Sequence, residues 1–171
     1  RTGAVVGLAT DLLARQSSSK MALFGVGGQA ESQIEAALSV RALGQVLVYD
    51  LSAERAALFA REMQQKLGDQ AGCAISPAAS SGEAVADADI ITCVTTSKKP
   101  VVDGRLVKKG AHINGVGSFT PDAQEIDEFI VTGADRVWVD TRNGAFHETG
   151  DLLIPVEKGI YSLERVAGEL G

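Results

Sequence analysis

Apolar and polar positions along the chain alternate between two periods, and the two take turns. Met21-Ala22-Leu23-Phe24, Gln45-Val46-Leu47-Val48-Tyr49 and Ile90-Ile91-Thr92-Cys93-Val94 are short apolar runs, as expected of parallel strands buried on both faces. Helical spacing separates them. Ala30, Ile34, Ala37, Leu38 and Ala42 share one face, with Glu31, Gln33 and Glu35 on the other; Ala56, Phe59, Ala60, Met63 and Leu67 form a second stripe that Gly68 closes as a C-cap. Ahead of the first strand, Val5, Leu8, Leu12 and Leu13 predict a helix over 3–15 with these side chains as its apolar face, ended by Gln16-Ser17-Ser18-Ser19. Gly72–Ile75 reads as a third strand, and Ser80-Ser81-Gly82-Glu83 caps a helix through Ala88. Ala111–Val116, a helix over Glu125–Ile130 and a sixth strand at Arg136–Asp140 follow. Beyond Asp140 the pattern weakens, and Ala145–Glu148, Gly150–Pro155 and Leu163–Leu170 read as short helices and connectors. The alternation predicts an α/β protein with a Rossmann-type, doubly wound, mainly parallel sheet and helices on both faces. Without a repeat or a low-complexity linker, residues 1–171 read as one domain.

The first strand breaks into Gly25-Val26-Gly27-Gly28-Gln29-Ala30, a Gly-x-Gly-x-x-Ala register between strand and helix. Gly25 permits the tight turn, Gly27 lets the backbone approach a pyrophosphate, and Ala30 lets the helix pack close on the strand. An anion there meets the free N–H groups and positive dipole end of the helix. A glycine turn alone is weak, since any tight turn favours glycine. The second strand, however, ends in Asp50, at about the 20-residue offset of a carboxylate that binds ribose hydroxyls. Its charge favours NAD over a 2′-phosphorylated cofactor, with Arg55 the one nearby group that softens it; the competing role is a helix N-cap, for which Ser52 is also suited. Thr95-Thr96 stands at the C-terminal end of the fourth strand, the edge where open α/β sheets hold ligands. Gly115-Val116-Gly117 suits backbone lying against a flat ring, the alternative being a turn alone.

Composition narrows the partners. A net charge of −6, with acids spread along the chain, argues against nucleic acid. Cys73 and Cys93 form neither a disulfide framework nor a metal spacing, and Cys93 reads as a small buried hydrophobe. No apolar run is long enough to span a bilayer and no signal pattern is visible; the reading is a soluble, reducing, cytoplasmic setting. His112 and His147 read as structural histidines, and no catalytic acid or base is assigned. The chain starts at Arg1, in the middle of a helical pattern and without methionine, as a piece of a longer protein would.

With these pieces placed, the sequence resembles the ornithine cyclodeaminase and mu-crystallin family. The matching stretches are Arg1-Thr2-Gly3-Ala4, Gly25–Ala30, Val48-Tyr49-Asp50, Ala88–Thr92 with Val94-Thr95, His112-Ile113-Asn114 with Val116-Gly117, and Gly150-Asp151-Leu152. The resemblance implies the central dinucleotide domain of a two-domain homodimer, with the substrate and dimerisation domain built mostly from preceding sequence. It further implies that Arg1 and Thr2 serve the cofactor phosphates and the substrate carboxylate, for which a guanidinium fork is suited. Gly28 and Gln29 would lie over the pyrophosphate, and Thr95, Thr96, Asn114, Gly115, Val116 and Gly117 would line the nicotinamide side. One position departs from the cyclodeaminases: Phe119 stands where they resemble one another in an acid/base aspartate. The activity so implied is NAD(H)-dependent reduction or oxidation of a small imine or amino acid. A cyclodeaminase lyase and a non-enzymatic nucleotide-binding protein are the alternatives.

Overall fold

In the computed structural model, which describes residues 1–170, the apolar runs form β1 (Lys20–Phe24), β2 (Gln45–Tyr49), β3 (Ala74–Pro77), β4 (Ile90–Cys93) and β5 (His112–Gly115) of one sheet. Their order is β3-β2-β1-β4-β5. β1 runs parallel to both neighbours, with Met21 opposite Val46 of β2 and Ile90 of β4. β1 from Met21 and all of β4 are buried because both of their faces are covered, whereas β2, nearer the edge, alternates in burial. Pro77 ends β3 on the edge, where a missing N–H costs no ladder bond. The architecture is Rossmann-type α/β, as the pattern predicts. The chain divides into two compact units, residues 1–95 with 106–114 and residues 96–105 with 115 onward.

In the first unit, α1 (Thr2–Leu13) packs on α2 (Ala30–Val40), and here the predicted face of α1 is overturned. Leu8 and Leu12 are exposed, Leu12 by 62%, while Gly3, Val6, Gly7, Ala9 and Thr10 are buried. Small residues win because the helices approach closely: a Cβ on Gly3 would stand 2.7 Å from the Ser32 carbonyl oxygen. On α2, Gln33 is fully buried beside Ile34 and Ala37, against the expected polar side, and Ala42 is exposed beyond the helix end. Arg41, its side chain 1% exposed, closes α1 by donating to the carbonyls of Thr10, Asp11, Ala14 and Arg15 and to the Asp11 carboxylate. The Thr10 carbonyl also accepts the Ala14 amide and the Arg15 carbonyl the Ser18 amide, so the guanidinium adds donors where the helix ladder runs out, at Asp11 and Ala14 above all. Met21, Leu23, Ile34, Val46, Val48, Met63 and Ile90 form the core, each large aliphatic contributing about 2 kcal/mol by burial.

α3 (Ala53–Met63) begins at Ser52, which accepts from the Arg55 amide, and runs past its expected cap. Gln64–Gly68 forms a π-helical turn and α4 (Asp69–Ala71) continues to Gly72, whose φ of 65° supplies the left-handed cap expected of Gly68. The Gln64 side chain stitches this turn by donating to Asp69 and accepting from the Ile75 amide. α5 (Ser81–Val85) starts at the Ser80 cap as expected and ends three residues early. Asp89 then ties the start of the sheet together. Its carboxylate accepts from the Ser19 and Lys20 amides and pairs with Arg15 and Lys108. Burial alone would raise its pKa, but Lys108 and the two amides outweigh that and hold it at about 2.

The second unit contains α6 (Glu128–Gly133), β6 (Val137–Val139), α7 (Arg142–Glu148), α8 (Gly150–Glu157) and β7 (Val166–Glu169). α6 starts three residues later than expected, because Asp127 is the residue whose side chain accepts from the Ile130 amide. The expected sixth strand, β6, lies outside the main sheet and pairs in parallel with β7, a segment whose sequence reads as helix or connector. Trp138 explains the pairing: Gly168 opposite it leaves room for the indole, and a Cβ there would stand 2.5 Å from the ring. No helix among the described residues is long and apolar enough to cross a membrane.

Candidate functional site

The strand order reverses between β1 and β4, and this switch point is where an open α/β sheet leaves a crevice for ligand. Gly25 ends β1 there with a φ of 92°, and a Cβ on it would stand 2.9 Å from the Thr95 methyl and 3.0 Å from the Val94 carbonyl oxygen. Only glycine satisfies both the dihedral and the space. Gly27, Gly28 and Gln29 are exposed, with nothing within 4 Å of a Cβ built on either glycine. Ala30 behind them is wholly buried, and Gln29 at the N-cap of α2 makes no side-chain cap. The Ala30 amide turns back to the Gly27 carbonyl, while no N-cap side chain takes the other first-turn N–H groups of this 11-residue helix, the arrangement that receives a phosphate.

Asp50 leaves β2 on the same edge. Its Oδ2 accepts from the Val26 amide inside the glycine turn at 3.3 Å, and its Oδ1 accepts from the Ser52 amide at 3.0 Å, with the Arg55 guanidinium 3.8 Å away. Ser52, not Asp50, caps α3. The carboxylate is thus fixed against the turn while 13% of the side chain stays exposed. Arg1 and Thr2 open α1 and are exposed, and the close packing of Gly3 on Ser32 puts them beside the first turn of α2. Thr95 touches Gly25, and Thr96 is exposed at the start of the second unit. Arg1, Thr2, Gly25 to Ala30, Asp50 and Thr95 thus gather around one strand–helix junction.

Asn114 is placed differently. Its side chain points into the first unit, donating to the hydroxyls of Thr10 and Thr92 at 3.2 Å each, while His112 Nε2 lies 2.9 Å from its Oδ1. With the amide nitrogen spent on two threonines, Oδ1 is the acceptor and Nε2 carries the hydrogen. Burial lowers the His112 pKa, the bond to Asn114 opposes this, and the Arg41 charge lowers it further. The ring braces the Asn114 side chain from within β5, and Asn114 in turn ties the strand to Thr10 and Thr92.

In the second unit, Gly115 is exposed, Val116 half-buried and Gly117 buried. The Gly117 amide donates to Glu125 Oε2 at 2.5 Å, and the Glu125 and Ile126 amides donate to Asp151 Oδ1 at 2.7 and 3.0 Å. Asp151 is 4% exposed, and burial first, then the nearby Glu125 charge, overcome the two amides to raise its pKa to about 6. Sequence reasoning missed this pair by placing Glu125 in a helix and giving Asp151 no role; the available signal was an acid inside Gly150-Asp151-Leu152-Leu153-Ile154-Pro155. Of the polar groups near Phe119, Ser118 donates to the Ala123 carbonyl, and Thr120 and Lys98 both donate to Asp122. Phe119 itself is 63% exposed. No three His, Cys, Asp or Glu side chains among the described residues gather as metal ligands.

Fold and junction together define a Rossmann-type domain with an anion cradle and an anchored carboxylate at its switch point. The chain belongs to the ornithine cyclodeaminase/mu-crystallin family, whose profile matches residues 1–170. It is 39% identical over 171 residues to a Delta(1)-pyrroline-2-carboxylate reductase of Bacillus cereus, covering 100% of this chain and 51% of that protein. It is 37% identical over 154 residues to the ketimine reductase mu-crystallin of Mus musculus, covering 90% of this chain and 46% of that one. Among solved structures, Thermococcus litoralis Delta(1)-pyrroline-2-carboxylate reductase in complex with NADH and L-proline superposes with a TM-score of 0.93 at 37% identity, over 99% of this chain and 51% of that chain. The chain thus spans about half the length of the relatives it matches.

Proposed function

We propose that the protein is an NAD(H)-dependent imine reductase acting on a small cyclic imine carboxylate, and that this chain is the dinucleotide-binding part of a two-domain homodimer. The observation that carries the reading is Asp50, anchored to the Val26 amide of the glycine turn at the switch point. The residues fit the cofactor: the exposed glycines leave room that a side chain would fill, and the open α2 N-terminus offers N–H donors to a pyrophosphate. Gly27, Gly28 and Gln29 hold the phosphates and Asp50 the ribose hydroxyls, its charge disfavouring a 2′-phosphate. Arg1 and Thr2 serve the phosphates and the substrate carboxylate. Thr95, Thr96 and the backbone of Asn114 to Gly117 line the nicotinamide side. When bound, the cofactor supplies the hydride to the imine carbon next to the carboxylate; this chain's own contribution is orientation and charge. The Delta(1)-pyrroline-2-carboxylate and ketimine reductases among the relatives support this substrate class. Two buried cysteines outside any disulfide suit a reducing, cytoplasmic setting.

Phe119 separates this reading from a cyclodeaminase. It cannot move a proton, and Ser118, Thr120 and Asp122 beside it are engaged with other groups. The test is NADH absorbance with the full-length protein and pyrroline- or piperideine-2-carboxylate, run beside ornithine with NAD and an ammonia assay. Loss of NADH with the imine is expected. Ammonia release without net cofactor change would replace the reductase with a lyase, and NADH binding without any turnover would leave a binding protein.

A further inference from the structure

In the second unit the two buried acids close a ring of hydrogen bonds around the turn that follows β5. Gly117 donates its amide to the Glu125 side chain, Glu125 donates its amide to the Asp151 side chain, and Asp151 donates its amide to Ser118 Oγ at 3.1 Å. Ser118 is bonded covalently to Gly117, so the circuit returns to its start, and the Ser118 hydroxyl proton goes to the Ala123 carbonyl at 2.7 Å. Each side chain holds the backbone of the next member. All three are shut from solvent: Glu125 is 0%, Asp151 4% and Ser118 8% exposed. The ring also reaches Gly115, where a Cβ would stand 3.1 Å from Asp151 Oδ2 and 2.7 Å from Ile126 Cδ1. Among the described residues no lysine or arginine forms an ion pair with Asp151.

Burying two nearby carboxyl groups is costly unless hydrogen bonds satisfy them, and stability alone would be served better by apolar residues of similar volume. What this arrangement provides is a fixed backbone. A loop carrying two glycines has the largest conformational freedom to lose; two of the ring's bonds hold it directly, at Gly117 and Ser118, and the third holds Glu125 to Asp151. We propose that Glu125 and Asp151 are positioning residues that set the Gly115–Gly117 backbone for the nicotinamide side of the reaction. The assignment rests on the reading of this segment given under Proposed function. Glu125 acts directly on Gly117, and Asp151 acts through Glu125.

The test uses the full-length protein and two readouts, hydrogen exchange of the peptide spanning residues 115–118 and NADH affinity by fluorescence, with turnover as a third. Glu125→Ala is expected to speed exchange at this peptide at least tenfold and to weaken NADH by a similar factor, leaving exchange at the Gly25–Ala30 turn unchanged. Glu125→Gln keeps an oxygen that accepts from Gly117 and is expected to restore both within about threefold. Asp151→Asn likewise keeps an acceptor for the Glu125 and Ile126 amides and should behave as Glu125→Gln does. Should Glu125→Ala not fold, Ser118→Ala opens the same ring at its outer link and is expected to speed exchange at 115–118 by a smaller factor. Unchanged exchange in the folded alanine variant, or equal damage in the glutamine and alanine variants, overturns the proposal. If no imine is reduced by the wild type while Glu125→Ala still loosens the segment and weakens NADH, the positioning role stands and the substrate reading falls.

Discussion

Asp50 is held twice, by the Val26 and Ser52 amides, before any ligand arrives. A carboxylate so oriented loses little freedom on accepting two ribose hydroxyls, and charge-assisted bonds of this kind contribute roughly 1.5–3 kcal/mol. Asp50→Ala is therefore expected to weaken NADH about tenfold or more by fluorescence titration, with a smaller loss for NADPH because the repulsion of the 2′-phosphate disappears too. Equal NADH affinity in the variant would end the ribose assignment. This residue was legible because its signal is local: an acid at the end of an apolar strand, at a fixed offset from a glycine turn. Glu125 and Asp151 were not, since 26 positions separate two ordinary acids that only folding brings together. Asn114 lies between these cases, found on the right strand but with its side chain turned inward to Thr10 and Thr92.

Among the elements, α1 shows how close packing can defeat a hydrophobic stripe. The sequence pattern favours Val5, Leu8, Leu12 and Leu13 as the inner face, yet the glycine side is buried because Gly3 and Gly7 let α1 approach Ser32 and Ala36 of α2. That approach puts Arg1 and Thr2 beside the first turn of α2. Arg41 holds the far end. Arg41→Met would strip donors from the carbonyls of Thr10, Asp11 and Ala14 in a buried setting, and a buried acceptor left unsatisfied costs about 1–3 kcal/mol. Urea unfolding is expected to show a loss of that size. A change below about 1 kcal/mol would mean that water or a shifted helix end satisfies the carbonyls instead.

Over the whole molecule, two carboxyls shape the response to pH in opposite directions. Asp89 has a folded pKa of about 2, below its ordinary value, so its stabilisation is present above pH 4 and is lost as pH falls through 2. Asp151 has a folded pKa raised to about 6; its contribution is complete below pH 4 and is lost as pH rises through 6, by roughly 3 kcal/mol. Urea unfolding between pH 4 and 7 is expected to show wild type losing stability relative to Asp151→Asn as pH rises. Parallel curves across that range would show that Asp151 titrates normally in the fold.

What the sequence by itself determined are features written in short range. These are the strands buried on both faces, the Gly25–Ala30 turn, the Ser80 cap, Asp50 at its offset and the family's stretches in order, and together they carry the Rossmann-type class and the family. Each rests on residues within one or two turns or on a fixed spacing. Tertiary structure alone decided which side of α1 is buried, that Gly72 and not Gly68 ends the α3–α4 segment, that β6 finds β7 outside the main sheet, and that Gly117 is tied through Glu125 to Asp151. In each of these the deciding energy comes from contact between distant segments, through close packing, hydrogen-bond satisfaction or room left for a ring, and periodicity along the chain does not register it.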